Sequence, residues 1–408
     1  MAGPVGVYIS VPFCRAKCTF CNFASGVFGE ERMQRYVEAL CDEILTVRET
    51  TRGKGASLPA VADTIYFGGG TPSLLSARQF ERIFERLRGE FDLAKDAEIT
   101  LECAPGQLSS ETLDELLRQR MNRISFGVQS FVDRETAAVG RLHTRQQCEA
   151  EIARVRAAGI DEINVDLIAG LPHQTTKSWQ FSLEQAIAID VPHVSVYLFE
   201  VDEESRLGRE MLEKGTRYGA AAVPGEDEAA EFYQRACVAL DAAGVEQYEI
   251  SNFAREGHRS RHNLKYWQRK PYIGFGLDAH SMLPAGEDAV RFAHTSDLDE
   301  YLRRAADEAP FRVLGDAVNI DDAELDLIGR DAAFEEALFL GLRLNEGVAF
   351  DSLRRQFGET MIHEAMPALV EVRDAGLLEL SGDRMRLTPH GRLVSNEVFS
   401  RLLVVSST

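Results

Sequence analysis

The chain has 408 residues, 45% of them hydrophobic and 27% charged, enough to bury a large core and to divide into two or three domains of ordinary globular make-up. A formal net charge of -20 gives a surface that repels phosphates, which argues against nucleic acid as a partner. No run of about eighteen apolar residues marks a membrane-spanning helix. Met1 to Ser10 lack a basic segment followed by an apolar stretch, so no secretory signal is expected and the expected location is the cytoplasm. Seven cysteines, an odd count with three clustered, favour a reducing compartment over a disulfide framework.

The first predicted strand, Val5 to Val11, runs into Cys14-Arg15-Ala16-Lys17-Cys18-Thr19-Phe20-Cys21, a C-x3-C-x2-C loop. Three thiolates on one short loop can grip three corners of a [4Fe-4S] cluster, which normally takes four ligands. The open iron suits a small chelating molecule such as S-adenosylmethionine (SAM). A structural zinc site would need a second ligand pair, which the sequence does not offer. A thioredoxin-like redox site would use the Cys18 to Cys21 spacing but leave Cys14 surplus. Cys41, Cys103, Cys148 and Cys237 lie singly, and Cys41 falls on the apolar face of a helix.

Up to about Glu200, short β-branched runs alternate with amphipathic stretches. Strands are predicted at Thr64 to Phe67, Glu98 to Glu102, Arg123 to Gln129, Glu162 to Ile168 and His193 to Phe199. Helices are predicted at Glu31 to Glu49, Ala77 to Arg88, Ser110 to Gln119, Arg145 to Ala158 and Thr176 to Ile189. This alternation predicts an α/β fold with a curved parallel sheet, a (βα)6 partial TIM barrel. Ligands then collect at the carboxyl ends of the strands, where Gly68-Gly69-Gly70-Thr71-Pro72, Glu102, Gln129 and Asp166 fall. The three glycines leave room for a ligand, and their amides are expected to be free to bind it.

Residues 201–227 are charged and glycine-rich and read as a cover over the barrel mouth. A helix near Glu228 to Ala243 and a strand-like Val245 to Ile250 lead to Arg261-His262-Asn263-Leu264-Lys265-Tyr266-Trp267. A histidine can ligate heme iron, and a tyrosine and a tryptophan offer flat apolar area to a porphyrin. The same residues also suit an ordinary interior. His280 and His143 are further candidates. Leu283 to Asp316 reads as a polar linker with a helix near Asp297 to Glu308. Three later helical patterns, a short hairpin and Thr388-Pro389-His390-Gly391 suggest a C-terminal winged-helix-like helical domain. The expected domains are 1–243, a barrel with the cysteine loop; 244–320, an extension with the His262 segment; and 321–408, the winged-helix-like unit.

Tyr8-Ile9-Ser10-Val11-Pro12-Phe13-Cys14, with Cys18, Phe20 and Cys21 and the GGGTP turn, resembles radical SAM proteins of the branch that holds oxygen-independent coproporphyrinogen III oxidase (HemN) and the heme chaperones (HemW). The resemblance covers most of the chain. It implies Cys14, Cys18 and Cys21 as cluster ligands and Tyr8, Phe20, Gly69, Gly70, Thr71, Glu102, Gln129, Arg141 and Asp166 as SAM-binding positions. It further implies one-electron cleavage of SAM to methionine and a 5'-deoxyadenosyl radical. The His262-Asn263-x-x-Tyr266-Trp267 run is similar to a motif of the chaperones that the oxidases lack, and it implies a heme site at His262, Asn263, Tyr266 and Trp267. The oxidases carry a further cysteine where this chain has Phe23. Asn22, where aspartate is common, and Leu277-Asp278, where small residues are usual, depart from the chaperone pattern without removing a ligand.

The expected function is therefore that of a heme chaperone passing heme to an acceptor hemoprotein at the membrane, with peripheral membrane contact during transfer. Flavodoxin or ferredoxin is the expected electron donor, and the state is monomer or homodimer. The alternatives are a coproporphyrinogen III oxidase of porphyrin biosynthesis, which is what the chain would be if it is an enzyme, and a metal-stabilised interaction protein without SAM chemistry.

Overall fold

The computed structural model describes residues 3–308 and 325–403. Strands β1 (Val5–Val11), β2 (Val61–Gly69), β3 (Asp92–Cys103), β4 (Arg123–Gln129), β5 (Glu162–Ala169) and β6 (His193–Leu198) pair in parallel in that order. Between them run α1 (Glu30–Gly53), α2 (Ala77–Glu90), α3 (Ser110–Arg118), α4 (Asp133–Ala138), α5 (Arg145–Ala157) and α6 (Thr176–Ala188). Capping boxes at Ser76/Gln79, Thr144/Gln147 and Thr175/Ser178 start α2, α5 and α6. Each such cap contributes about 1 kcal/mol.

The strands alternate with period two, and the two faces differ in chemistry. Val7, Ile9, Ile65, Phe67, Leu101, Phe126, Val165 and Val196 belong to the main apolar core with Leu40, Phe80, Phe84, Ile152 and Trp179 from the helices. The other face carries Tyr8, Ser10, Thr64, Tyr66, Glu98, Glu102, Ser125, Asn164, Asp166 and Ser195. A polar strand face is stable here because its groups bond one another: Asn164 Nδ2 donates to Ser125 Oγ (2.7 Å) and Ser195 Oγ (3.0 Å), and His193 Nδ1 meets Asn164 Oδ1 at 2.6 Å.

Residues 201–227 form α7 (Arg206–Leu212) and a 3-10 turn rather than a loose cover. Leu207 and Ala220 are buried with Val139, Ile168 and Leu171, and Phe20 packs on this group. Next, α8 (Glu226–Ala242) packs on α6 and β6. The expected strand 245–250 is a short hairpin, β7 (Glu246–Gln247) with β8 (Asn252–Ala254), at the β6 edge. After α9 (Arg261–Trp267), β9 (Tyr272–Phe275) pairs in parallel with β1. The segment read as a linker from Leu283 corrects to a hairpin, β10 (His280–Ala285) and β11 (Asp288–Ala293), that extends the sheet. Its signal was Gly286 at φ +66° in a two-residue turn between alternating runs. The helix expected beyond it is α10 (Leu298–Glu308). The end of that linker at Asp316 and the domain boundary at 320/321 lie outside the described residues.

β12 (Asp326–Ile328) pairs with β11 and completes the twelve-stranded sheet of the described residues. A second apolar cluster joins α11 (Arg330–Leu342), α12 (Phe350–Phe357), α13 (Glu359–Asp374) and α15 (Ser395–Leu402). It sits against a three-stranded sheet of β13 (Val348–Ala349), β14 (Leu378–Ser381) and β15 (Arg384–Leu387), and α14 (Pro389–Leu393) precedes α15. Among the described residues no helix is long and apolar enough to cross a membrane.

Candidate functional site

Cys14, Cys18 and Cys21 line one cavity of about 970 Å³ at the carboxyl ends of the strands, and all seven cysteines of the chain are free thiols. The loop is tied down at several points: Cys14 N donates to Gly26 O (2.8 Å), Thr19 N to Val139 O (3.0 Å) and Leu207 N to Thr19 O (2.8 Å). Two side chains point donors at sulfur. Thr71 Oγ1 stands 3.7 Å from Cys14 Sγ, and Arg141 Nη1 stands 3.6 Å from Cys18 Sγ. Such contacts stabilise thiolates and tune a cluster bound through them.

Among the described residues no three His, Cys, Asp or Glu side chains are close enough to share a single metal ion. In a [4Fe-4S] cluster each thiolate would take a different iron.

The glycine turn is arranged differently from expectation. Gly70 N donates to Val11 O (2.8 Å), Thr71 N to Phe13 O (2.7 Å), and the Gly69 amide to the Glu102 carboxylate. The amides expected to bind a ligand are used internally, because the end of β2 lies in register with the end of β1, Gly69 opposite Val11. The turn thus positions the cysteine loop and Glu102.

Glu102, half-buried, accepts from Tyr66 Oη at 2.9 Å. Burial, with the charge of Asp166 adding, pushes its carboxyl up to about 7. Asp166 accepts from Ser125 Oγ (3.1 Å) and Asn164 Nδ2 (2.7 Å), and burial raises it too. Gln129 ends β4 with φ +69° at a bulge, which aims its side chain into the cavity; its Oε1 is buried without a partner. Arg141 donates to Gly127 O while its Nε is buried and unpartnered. One orphaned acceptor, one orphaned donor and two carboxylates beside the thiols fit a ligand with cationic, hydroxyl and carboxylate groups, as SAM has. Phe20, Gly69, Gly70 and Thr71 line the same cavity. Tyr8 does not line it and stacks on Tyr66, with centroids 6.1 Å apart.

The α9 segment packs against the polar face of the sheet, near the beginnings of the strands. His262 N donates to Glu98 Oε1 (2.9 Å), and Lys265 Nζ pairs with Asp63 (2.6 Å) and donates to Pro4 O (2.9 Å). The Lys265 stem passes so close to Gly6 that a Cβ there would meet its Cδ at 2.7 Å. Helical spacing splits the segment by role. His262 and Tyr266 face inward: His262, 1% exposed, meets Thr64 Oγ1 at 2.8 Å through Nδ1 and Tyr266 Oη at 2.9 Å through Nε2. Burial lowers its pKa to about 3. As it stands, His262 has no ring nitrogen free for a metal. Asn263 and Trp267, also one turn apart, line the cavity. His143 lines it too, buried, with Nε2 at 3.1 Å from Val128 O; His280 is exposed and away from it.

Sequence reasoning missed Cys103, Glu249, Asn252 and Arg343, all of which line this cavity. Glu249 and Arg343 come from the β7–β8 turn and the end of α11, segments without a local motif, so no sequence signal marked them. Phe23, in the position where the oxidases carry cysteine, lines the cavity and is 61% exposed.

Comparison with known proteins gives the family and the fold. Residues 8–186 match the model of the radical SAM superfamily, and residues 329–394 match that of the HemN C-terminal domain. The chain is 31% identical to the heme chaperone HemW of Bacillus subtilis over 399 residues, 97% of this chain and 98% of the relative. It is 31% identical to HemW of Lactococcus lactis, covering 98% of each chain, and 33% identical to HemW of Escherichia coli, covering 68% and 70%. In fold it is similar to coproporphyrinogen III oxidase (HemN) of Escherichia coli, with a TM-score of 0.80, 22% identity and coverage of 98% and 90%.

Proposed function

The chain belongs to the heme chaperone HemW family of the radical SAM superfamily, and on that premise we propose that it holds heme in the cavity lined by the cysteine loop and hands it to an acceptor hemoprotein. Family membership implies a [4Fe-4S] cluster and SAM. In this reading Cys14, Cys18 and Cys21 hold the cluster, and Phe20, Glu102, Gln129, Arg141 and Asp166 orient SAM, with Gly69, Gly70 and Thr71 shaping its bed and Tyr8 supporting Tyr66 from behind. When bound and reduced, the cluster supplies one electron to the sulfonium of SAM. The protein's own part is to orient the ligands, to keep water out by sealing the cavity floor with His262 and Tyr266, and to hold Glu102 and Asp166 ready for cationic and hydroxyl groups.

The observation that carries the heme assignment is that Asn263 and Trp267 line the same cavity as the thiols. Trp267 offers the apolar ring area a porphyrin needs. The absence of a cysteine at Phe23 favours the chaperone over the oxidase. We place the protein in the cytoplasm as a monomer or homodimer, taking electrons from a flavodoxin- or ferredoxin-type donor and meeting a membrane-associated acceptor.

The test is anaerobic reconstitution with iron and sulfide, followed in parallel by heme titration and a coproporphyrinogen III decarboxylation assay, with Trp267→Leu beside the wild type. Saturable heme binding without decarboxylation, weakened by Trp267→Leu, is expected. Decarboxylation with consumption of SAM would instead make the chain an oxidase working without the extra cysteine.

A further inference from the structure

Where α9 and the end of α11 reach the cavity, the Arg343 guanidinium lies over the Trp267 ring, 4.4 Å from its centroid. The position is built. Arg269 Nε (2.8 Å) and Arg291 Nη2 (2.5 Å) grip Glu336 from both sides and fix α11 against the sheet and the end of α9. Among the described residues no carboxylate lies within ion-pair reach of Arg343, and its Nε is buried without a partner. The Trp267 indole Nε1 is likewise buried and unpartnered. Glu249, fully buried on the same wall, accepts at Oε1 from Ser251 N (3.1 Å) and Asn252 Nδ2 and leaves Oε2 without a partner. Burying a charge and two polar atoms without partners is costly unless a ligand supplies them.

We propose that Arg343, with the Trp267 indole N–H, is the recognition site for a carboxylate carried on a flat aromatic ligand, which on the function proposed above is a propionate of heme. A guanidinium offers a planar fork that matches a carboxylate, and stacking on Trp267 holds the fork in place at little entropic cost. Glu249 opposes a second negative charge only while ionised. Burial raises its pKa, against the lowering charge of Arg343, and so eases that opposition. Arg392 lines the same cavity, with Nη1 committed to Leu387 O (3.1 Å), and adds positive charge.

The test titrates the full chain with iron protoporphyrin IX and with its dimethyl ester, which keeps the ring and loses both carboxylates. The wild type is expected to prefer the free acid by roughly tenfold or more. Arg343→Gln should remove that preference by weakening the acid alone, so that retained ester binding reports an intact cavity; Arg343→Lys should keep part of it. Equal affinity of the wild type for acid and ester overturns the inference, and so does equal weakening of both ligands by Arg343→Gln, while leaving the heme chaperone reading in place. Saturable binding of neither ligand overturns that reading and the inference together.

Discussion

Gly70→Ala tests how the cysteine loop is held. A Cβ at Gly70 would stand 2.8 Å from Val11 O and Phe13 O and 2.9 Å from Phe13 N. All three are backbone atoms, and Phe13 precedes Cys14, so no rotamer change relieves the contact. Reaching ordinary van der Waals distance opens the junction by about half an ångström. That stretches the bonds Gly70 N to Val11 O (2.8 Å) and Thr71 N to Phe13 O (2.7 Å). Overpacking costs about 1–3 kcal/mol and each weakened bond up to about 1 kcal/mol, together about 2–4 kcal/mol. If even 2 kcal/mol falls on the cluster-binding loop, cluster affinity drops ~30-fold. Gly69→Ala is the control. There φ is +100° and the added Cβ meets Ser10 Oγ at 3.0 Å and Val11 N at 3.3 Å but no atom of Phe13, so the cost is mainly backbone strain of about 1–2 kcal/mol, placed one residue further from the cysteines. The assay is iron per chain after reconstitution against a graded chelator, beside urea unfolding of the apo form. Gly70→Ala should lose iron at lower chelator than Gly69→Ala, although both unfold earlier than the wild type. Wild-type iron retention by Gly70→Ala would refute the argument.

In the apo protein, Glu102 titrates near 7 in the fold against an ordinary 4.5, so the native state binds the extra proton between those values and stability falls as pH rises through that window. Glu102→Gln should flatten the slope in urea unfolding across that range, and an unchanged slope would sink the assignment. His262 has the opposite sign: its pKa falls from 6.5 to about 3, so its share of stability is lost as pH drops from 6.5 toward 3. His262→Gln should cost about 2–3 kcal/mol through the Thr64 and Tyr266 bonds and leave the Soret maximum of bound heme in place; a moved maximum would mark His262 as an axial ligand after rearrangement. Glu336→Gln leaves Arg269 and Arg291 without their buried partner, at about 3–5 kcal/mol. Faster hydrogen exchange across residues 330–342 should report the loosening, and unchanged exchange would show that other contacts hold α11.

The parallel barrel was readable because Val5 to Val11 and its five successors carry β-branched runs between amphipathic stretches. Which face turns inward was not readable. Ile9, Phe67 and Val165 pack outward on helices, whereas Tyr8, Tyr66 and Asp166 face the ligand cavity side, so the apolar face belongs to the outer layer and the polar one to the site. Period two alone cannot assign them. The free amides expected of Gly69 to Thr71 failed for a related reason, since acceptors on β1 come within reach only once the register is set. The His262 motif was found as a string, yet its division follows from helical spacing: positions 262 and 266 bond each other while 263 and 267 line the cavity. That spacing also explains why Arg343 escaped notice. Its partner surface is the Trp267 ring, about 75 residues earlier in the chain, and only the Glu336 bridge, two turns back along α11, brings them together. A histidine in such a motif draws attention as the metal ligand; in this fold both its ring nitrogens are bonded and fasten α9 to the sheet, and Asn263 and Trp267 are the motif residues that line the cavity.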